Sequence, residues 1–346
     1  MKSRKIVLDE ISRCYCVNHM TVDGVLRIVF ASEEIDGPCY AYSGKNFEHK
    51  EVVWEKGGGT MSFSPIPGSN GEFLAIQNFF PGFNAKDAKI VWGKYKDGRW
   101  EVKDFLKLPY VHRFDILESE GKLYFIGTTL CCSKQERNDW SDPGMVWVGE
   151  LPCDLNEKMD IKPIKDFLLK NHGYCQGYYQ DKQVGFITCD SGLYVVIPPD
   201  GNSDWEIKQL MADQISDVAV YDLDKNGENE YAVITPFHGN VMEIRKIIDD
   251  RRYETIYTYP YEMDFAHAIW AGEIFGTPTV VLGVRRAECE LAYIQYNQET
   301  NQFETHIIEK GVGTANVSLI HEEDRVLLIA ANHTKNEAAV YIITKS

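Results

Sequence analysis

Seven short apolar runs recur along the chain at a nearly constant interval. They are VLRIVFAS, EFLAIQNF, KLYFIGTT, QVGFITCD, EYAVITPF, PTVVLGVR and RVLLIAAN, starting near residues 25, 72, 122, 183, 230, 278 and 325. Each is rich in β-branched and aromatic residues and bounded by Gly, Asp, Asn or Pro, the composition of a strand between turns. Helical periodicity is almost absent. A second strand-like segment precedes most runs (HRFDILE, SDVAVYD, NVSLIHE), and a third follows (MVWVGEL, LYVVIPP, VMEIRKI). Several units add a fourth, as in RWEVKDFLKL, DWEIKQL and QFETHIIEK. Four strands repeated about every fifty residues is the signature of propeller blades, so the fold class expected is all-β, a single seven-bladed β-propeller. The blades fall at 13–55, 57–108, 110–166, 171–211, 214–259, 263–310 and 312–346. The last unit has only three strands, and the N-terminal RKIVLDEI resembles the missing fourth. Residues 4–11 are therefore expected to complete the last blade and remove its open edge. Two β-sandwiches are the rival architecture, disfavoured by the period and by the orphan N-terminal strand.

With 346 residues the chain can bury a large core without covalent staples. A formal charge of −16 excludes the basic footprint that nucleic-acid binding requires, and equally disfavours an anionic membrane surface. The start of the sequence has no apolar run of signal-peptide length. Nine cysteines occur without a CxxC pair, which points to reduced thiols and a cytoplasmic protein. No phosphate-binding glycine loop and no GxSxG elbow is present.

One turn differs from the others. In YDLDKNGENEYAVITPFHGN (221–240), Asp222, Asp224, Asn226 and Glu230 alternate around Gly227, an arrangement that can aim several oxygens at a calcium ion. Position twelve is Val233 and the flanks are strands, so this is not an EF-hand. A hydrogen-bonded Asx turn accounts for the same residues. The stretch resembles the DxDxDGxxD/E loop of FG-GAP and VCBS-type propeller repeats. That resemblance covers residues 215 to 240 and implies a calcium-binding turn between the first two strands of a blade.

The repeat also gathers distant residues. Nine positions before Gly121 and Gly276 lie His112 and His267, each opening the innermost strand of its blade. The fourth-blade counterpart is placed near Cys175 and Gln176, and His19 sits comparably in the first blade. Second strands return to the same face carrying Asn78, His238, Arg285, Arg286, Asn332 and His333. His112, His238 and His267 are thus expected to line one mouth of the central channel, where converging imidazoles suit zinc, manganese or iron. Arg285, Arg286, Asn332, Asn78 and Gln176 are candidates for binding substrate, and His333, Tyr174 and Tyr178 for moving protons. Two insertions, FFPGFNAKDAK (79–89) and LCCSKQERNDWSDPG (130–144), should overhang this face. They bring Phe79, Phe80, Phe83 and Trp140, with Lys86 and Arg137. Their aromatics suit either a sugar or simple packing of the loops. A polar ring can also do no more than solvate the hole of a propeller.

These features resemble propellers of the aldos-2-ulose dehydratase kind and propeller polysaccharide lyases. That likeness implies a metal held by histidines at the channel mouth and a lyase or isomerase acting on a carbohydrate or related small polar metabolite. The alternative is a non-catalytic propeller that binds a protein or glycan and carries a structural calcium.

Overall fold

The computed structural model describes residues 2–80, 84–201, 203–249 and 252–345. They form seven four-stranded antiparallel sheets arranged as the blades of a propeller, six of them simple meanders. The innermost strands are Cys14–Val22, Phe63–Pro65, Val111–Ser119, Gly173–Tyr179, Asp217–Tyr221, Asp264–Ile274 and Thr314–His321.

Burial explains the apolar pattern of the sequence. Second and third strands are covered on both faces by neighbouring blades, so their runs are continuous: Gly192–Ile197 is buried throughout, as is most of Arg325–Asn332. Outermost strands face water on one side and alternate, as in Gln302–Glu309. The core therefore lies between blades. Val184 and Val195 of the fourth blade pack with Val218 and Val233 of the fifth, and Ala232 and Ile244 of the fifth blade pack with Val280 and Leu282 of the sixth. All nine cysteines are free, and five are buried as small apolar side chains in these layers.

The ring closes as the N-terminal strand suggested. Lys2–Glu10 pairs antiparallel with Glu337–Thr344, from Lys2 opposite Thr344 to Glu10 opposite Glu337. Lys5 locks the joint by ion pairing with Glu309 at 3.1 Å and with Glu337, while Tyr341 donates to Glu309 at 2.9 Å. Among the described residues no helix is long and apolar enough to cross a membrane.

The closing strand joins residues more than 300 positions apart, so it should dominate stability. Deleting residues 2–10 is expected to expose the Glu337–Thr344 edge, lower the urea midpoint and promote association by edge pairing. The milder Lys5→Met should cost about 1.5–3 kcal/mol through loss of its charged hydrogen bonds. Urea denaturation with light scattering measures both effects.

Candidate metal centre at the channel mouth

The innermost strands do not start as regular ladders. In four of them the register slips by one residue, and the extra residue is Tyr15, His112, His267 or Ala315. Such bulges leave backbone carbonyls without a ladder partner and re-aim side chains. Around the same ring, side chains bond backbone carbonyls of adjacent blades, those of the bulge residues Tyr15 and Ala315 among them. Asn316 Nδ2 donates to Tyr15 O at 2.7 Å, Arg113 Nη1 to Met61 O at 2.7 Å and Asn18 Nδ2 to Phe63 O at 2.6 Å. Three imidazoles do the same: His112 Nδ1 to His172 O (3.1 Å), His172 Nδ1 to Ser216 O (3.0 Å) and His267 Nδ1 to Ala315 O (2.8 Å).

A carbonyl oxygen can only accept, so each of these Nδ1 atoms carries the proton. In the neutral ring Nε2 is then left with its lone pair. Burial holds His112, His172 and His267 well below the usual histidine pKa. Neighbouring imidazoles add to this at His172, as do Arg285 and Arg113 at His267. His238 falls to about 3, first through burial and then through Arg285 and Arg286. All four rings are neutral at physiological pH, as metal ligation requires.

The Nε2 atoms of His172 and His238 lie 3.3 Å apart. Two nitrogens bound tetrahedrally to zinc at about 2.0–2.1 Å are separated by about 3.3–3.4 Å, so the spacing fits a shared ion. One nitrogen from each of His172, His238 and His267 falls within 4.8 Å of the others. His238 is fixed between Phe237 and Phe265, with ring centroids 4.0 and 4.2 Å away, and its backbone N–H donates to Ser216 Oγ at 3.0 Å. Tyr15 OH sits 3.0 Å from His267 Nε2. Burial, partly offset by Arg113, raises the Tyr15 phenol to about 12.

The expected trio is thus changed in one member. His172 joins His238 and His267, while His112 lines the same cavity with its ring centroid 4.5 Å from that of His172 and its Nδ1 committed to the His172 carbonyl. His172 escaped the sequence reading because the fourth-blade hairpin turns at Gln180–Asp181, which take positive φ angles of 50° and 62° without a glycine. Counting nine back from Asp181 gives His172. The expected position near Cys175 and Gln176 lies three to four residues farther along, within the Gly173–Tyr179 strand. The same count from Gly24 gives Tyr15, not His19, which bonds Ser318 Oγ at 3.0 Å instead.

Other candidates are dispersed. Arg285 reaches the mouth, with Nη2 2.9 Å from the His333 ring nitrogens and 3.9 Å from Glu33. His333 is held by Glu33 at 2.6 Å, and Glu33 also pairs with Arg13. Arg286 is more exposed and lies 4.6 Å over the Phe265 ring. Asn332 is fully buried and bonded to Thr314, Glu337 and Tyr341, which leaves it a structural role. Asn78 turns toward its own loop, where Nδ2 is 3.5 Å from Asp87 O. Gln176 and Tyr174 line the channel below the mouth, with Gln176 Nε2 donating to Ile116 O. Tyr178 lies at the opposite end of its strand, exposed, beside Asn229 of the acidic turn, so it cannot serve the histidines.

Both insertions reach the mouth face. Phe79 packs on His112 at 5.0 Å, Trp140 meets Phe237 at 5.4 Å, and Phe80 and Arg137 line the cavity, whose volume is about 290 Å³. Lys86 is exposed and away from that lining. Phe83 lies outside the described residues. The acidic turn is largely self-satisfied. Asp222 accepts from the Asn226 and Gly227 amides, Asp224 from Asn226, and Glu230 Oε2 from Leu223. Lys246 Nζ stands 3.8 Å from Glu230 Oε1 and 4.0 Å from Asp224.

No family model matches the chain, and no curated protein is found similar to it. What the mouth can do must therefore come from its geometry.

Glu33 joins blade one to blade seven and compensates Arg13 and Arg285. Burial alone would raise its carboxyl, but the His333 hydrogen bond and the charges of His333, Arg285 and Arg13 hold it below its usual value. Its stabilisation is therefore complete above the unfolded value of 4.5 and lost as pH falls through the lower folded value. Glu33→Gln should cost about 3–5 kcal/mol at neutral pH by leaving buried cations uncompensated. The gap between variant and wild type should narrow in acid, as read from urea midpoints against pH.

Proposed function

We propose that the protein binds a divalent transition metal at the channel mouth through His172, His238 and His267, and uses it on a carbohydrate or related small polar metabolite as a lyase or isomerase. The observation that carries this is the direction of the lone pairs. His172 and His267 each spend Nδ1–H on a backbone carbonyl; Nε2 of His172 lies 3.3 Å from His238 Nε2, and Nε2 of His267 accepts from Tyr15 OH, a bond that an ion would replace. Zinc, manganese and iron all accept such donors.

When bound, an ion of this kind polarises a carbonyl or hydroxyl oxygen and acidifies its neighbours. Tyr15, 3.0 Å from His267 Nε2, is placed to move a proton at its phenol oxygen. His333 acts through Glu33 and Arg285 by fixing their positions. Phe79, Phe80 and Phe265 narrow the mouth and limit water. The likeness to aldos-2-ulose dehydratase-type propellers and propeller polysaccharide lyases points the same way.

The purified protein is expected to carry stoichiometric metal by elemental analysis. His238→Ala and His267→Ala should each lose it while retaining the far-ultraviolet spectrum of the wild type. Cobalt loading should give the visible absorption of a nitrogen-ligated ion. A folded wild type that takes up no zinc, manganese, iron or cobalt overturns this reading in favour of a non-catalytic propeller.

The acidic turn supports a narrower, structural reading as a calcium site of FG-GAP or VCBS type. Oxygens of Asp222, Asp224 and Glu230 converge within 4.8 Å, and the buried Glu230 Oε1 makes no hydrogen bond among the described residues. Calcium at a hundred times its Kd should then stabilise the fold by about 2.7 kcal/mol. Asp224→Asn should abolish the gain, and Lys246→Met should enhance it by removing a competing cation. An unchanged melting temperature in calcium leaves the turn as a hydrogen-bonded corner with Lys246 as counter-ion.

A further inference from the structure

The protein as a whole is strongly acidic, at −16, yet the described residues lining the mouth include Arg13, Arg137, Arg285 and Arg286 and a single carboxylate, Glu33. Glu33 is shared between Arg13 and Arg285. Arg286 pairs with Asp264 at 3.8 Å at the rim, and among the described residues no carboxylate lies within ion-pairing distance of Arg137, so guanidiniums outnumber carboxylates at the mouth. Arg285 and Arg286 both lie over the face of Phe265, at 4.8 and 4.6 Å, which orders their planar forks beside His238. A fifth guanidinium, Arg113, is buried among the innermost strands and tied to the Met61 carbonyl.

Positive charge gathered on one concave site of an acidic protein calls for an anion, and arginine forks match the oxygens of carboxylate and phosphate in pairs. The same charge disfavours a bare dication at the histidines. An anion seated between the two relieves both.

We propose that the mouth takes a small anionic molecule, bearing a carboxylate or a phosphate, with its anionic group on Arg286 and Arg137 and its polar remainder toward the three imidazoles. Anion and metal bind with positive coupling, each tightening the other. This rests on the metal centre proposed above for the coupling, but not for the arginine site itself. A cavity of about 290 Å³ sets the scale at a small metabolite.

The test is calorimetric titration of metal-free and zinc-loaded protein with inorganic phosphate, D-glucuronate and D-glucose. Glucuronate and glucose differ by a carboxylate in place of a hydroxymethyl group, so they isolate the charge. At least one anion is expected to bind while glucose does not. Preference for phosphate or for glucuronate identifies the anionic group. Zinc should raise the anion affinity about tenfold, and the anion should raise zinc affinity by the same factor. The double variant Arg137→Ala/Arg286→Ala, both at exposed positions, should weaken the anion about tenfold or more and leave zinc stoichiometry intact. Glucose binding as tightly as glucuronate, or no binding of either anion to either form, overturns the proposal. Failure to bind zinc with arginine-dependent anion binding intact removes the metal centre and the coupling, but leaves the anion site standing.

Discussion

The mouth of this propeller depends on hydrogen bonds from side chains of one blade to backbone carbonyls of the next. Innermost strands of a propeller converge and cannot all enter the ring as regular ladders. Here bulges at Tyr15, His112, His267 and Ala315 absorb the mismatch. A carbonyl released by a bulge and kept from water costs about as much as a lost hydrogen bond. Asn316 and His267 supply donors to the bulge carbonyls of Tyr15 and Ala315, and Asn18, Arg113, His112 and His172 bond other inter-blade carbonyls, linking blades one to two, two to three, three to four, four to five, six to seven and seven to one. Between blades five and six the backbone does it directly, Ala266 N donating to Gly239 O at 3.0 Å. The belt is continuous around the ring.

Histidine suits that belt for a reason asparagine does not share. An imidazole that donates from Nδ1 has a second nitrogen on the far side of the ring, in a fixed direction and with a lone pair. A residue recruited to satisfy the fold thus presents a ligand atom to the mouth without further adjustment. Burial keeps the ring neutral, because an imidazolium here would face Arg113 and Arg285. The same cations that keep the histidines unprotonated also set the charge of anything that settles beside them. Fold and tautomer therefore follow from one arrangement.

The architecture was legible because it is repeated. Seven strand runs at one interval leave few alternatives, and the orphan N-terminal strand pointed to the closed ring. His112 and His267 were found by counting nine residues back from hairpin glycines, and the rule extends to Tyr15, Ala315 and His172. It failed at His172 only because Gln180 and Asp181 adopt left-handed backbone without glycine, which removes the marker for the turn. Asn332 was misread for another reason. A polar residue at the end of a second strand looks available in sequence, and its partners Thr314, Glu337 and Tyr341 become visible only when the blade folds. Glu33 and Arg13 left no sequence signal, since their meaning comes from His333, about 300 residues away.

The acidic turn and the histidine that follows it in sequence separate cleanly by this logic. One hairpin carries both, and the Glu230–Thr235 strand spans the disc between them. At one end, carboxylates accept from their own backbone amides, and Lys246 stands 3.8 Å from the buried Glu230 Oε1. At the other, His238 is clamped between two phenylalanines with Nε2 3.3 Å from a second imidazole nitrogen. Two neutral rings at that distance, one with its proton committed elsewhere, have a single hydrogen available between them at most. The turn is held by its own amides and Lys246, whereas the two imidazoles meet through at most one shared hydrogen.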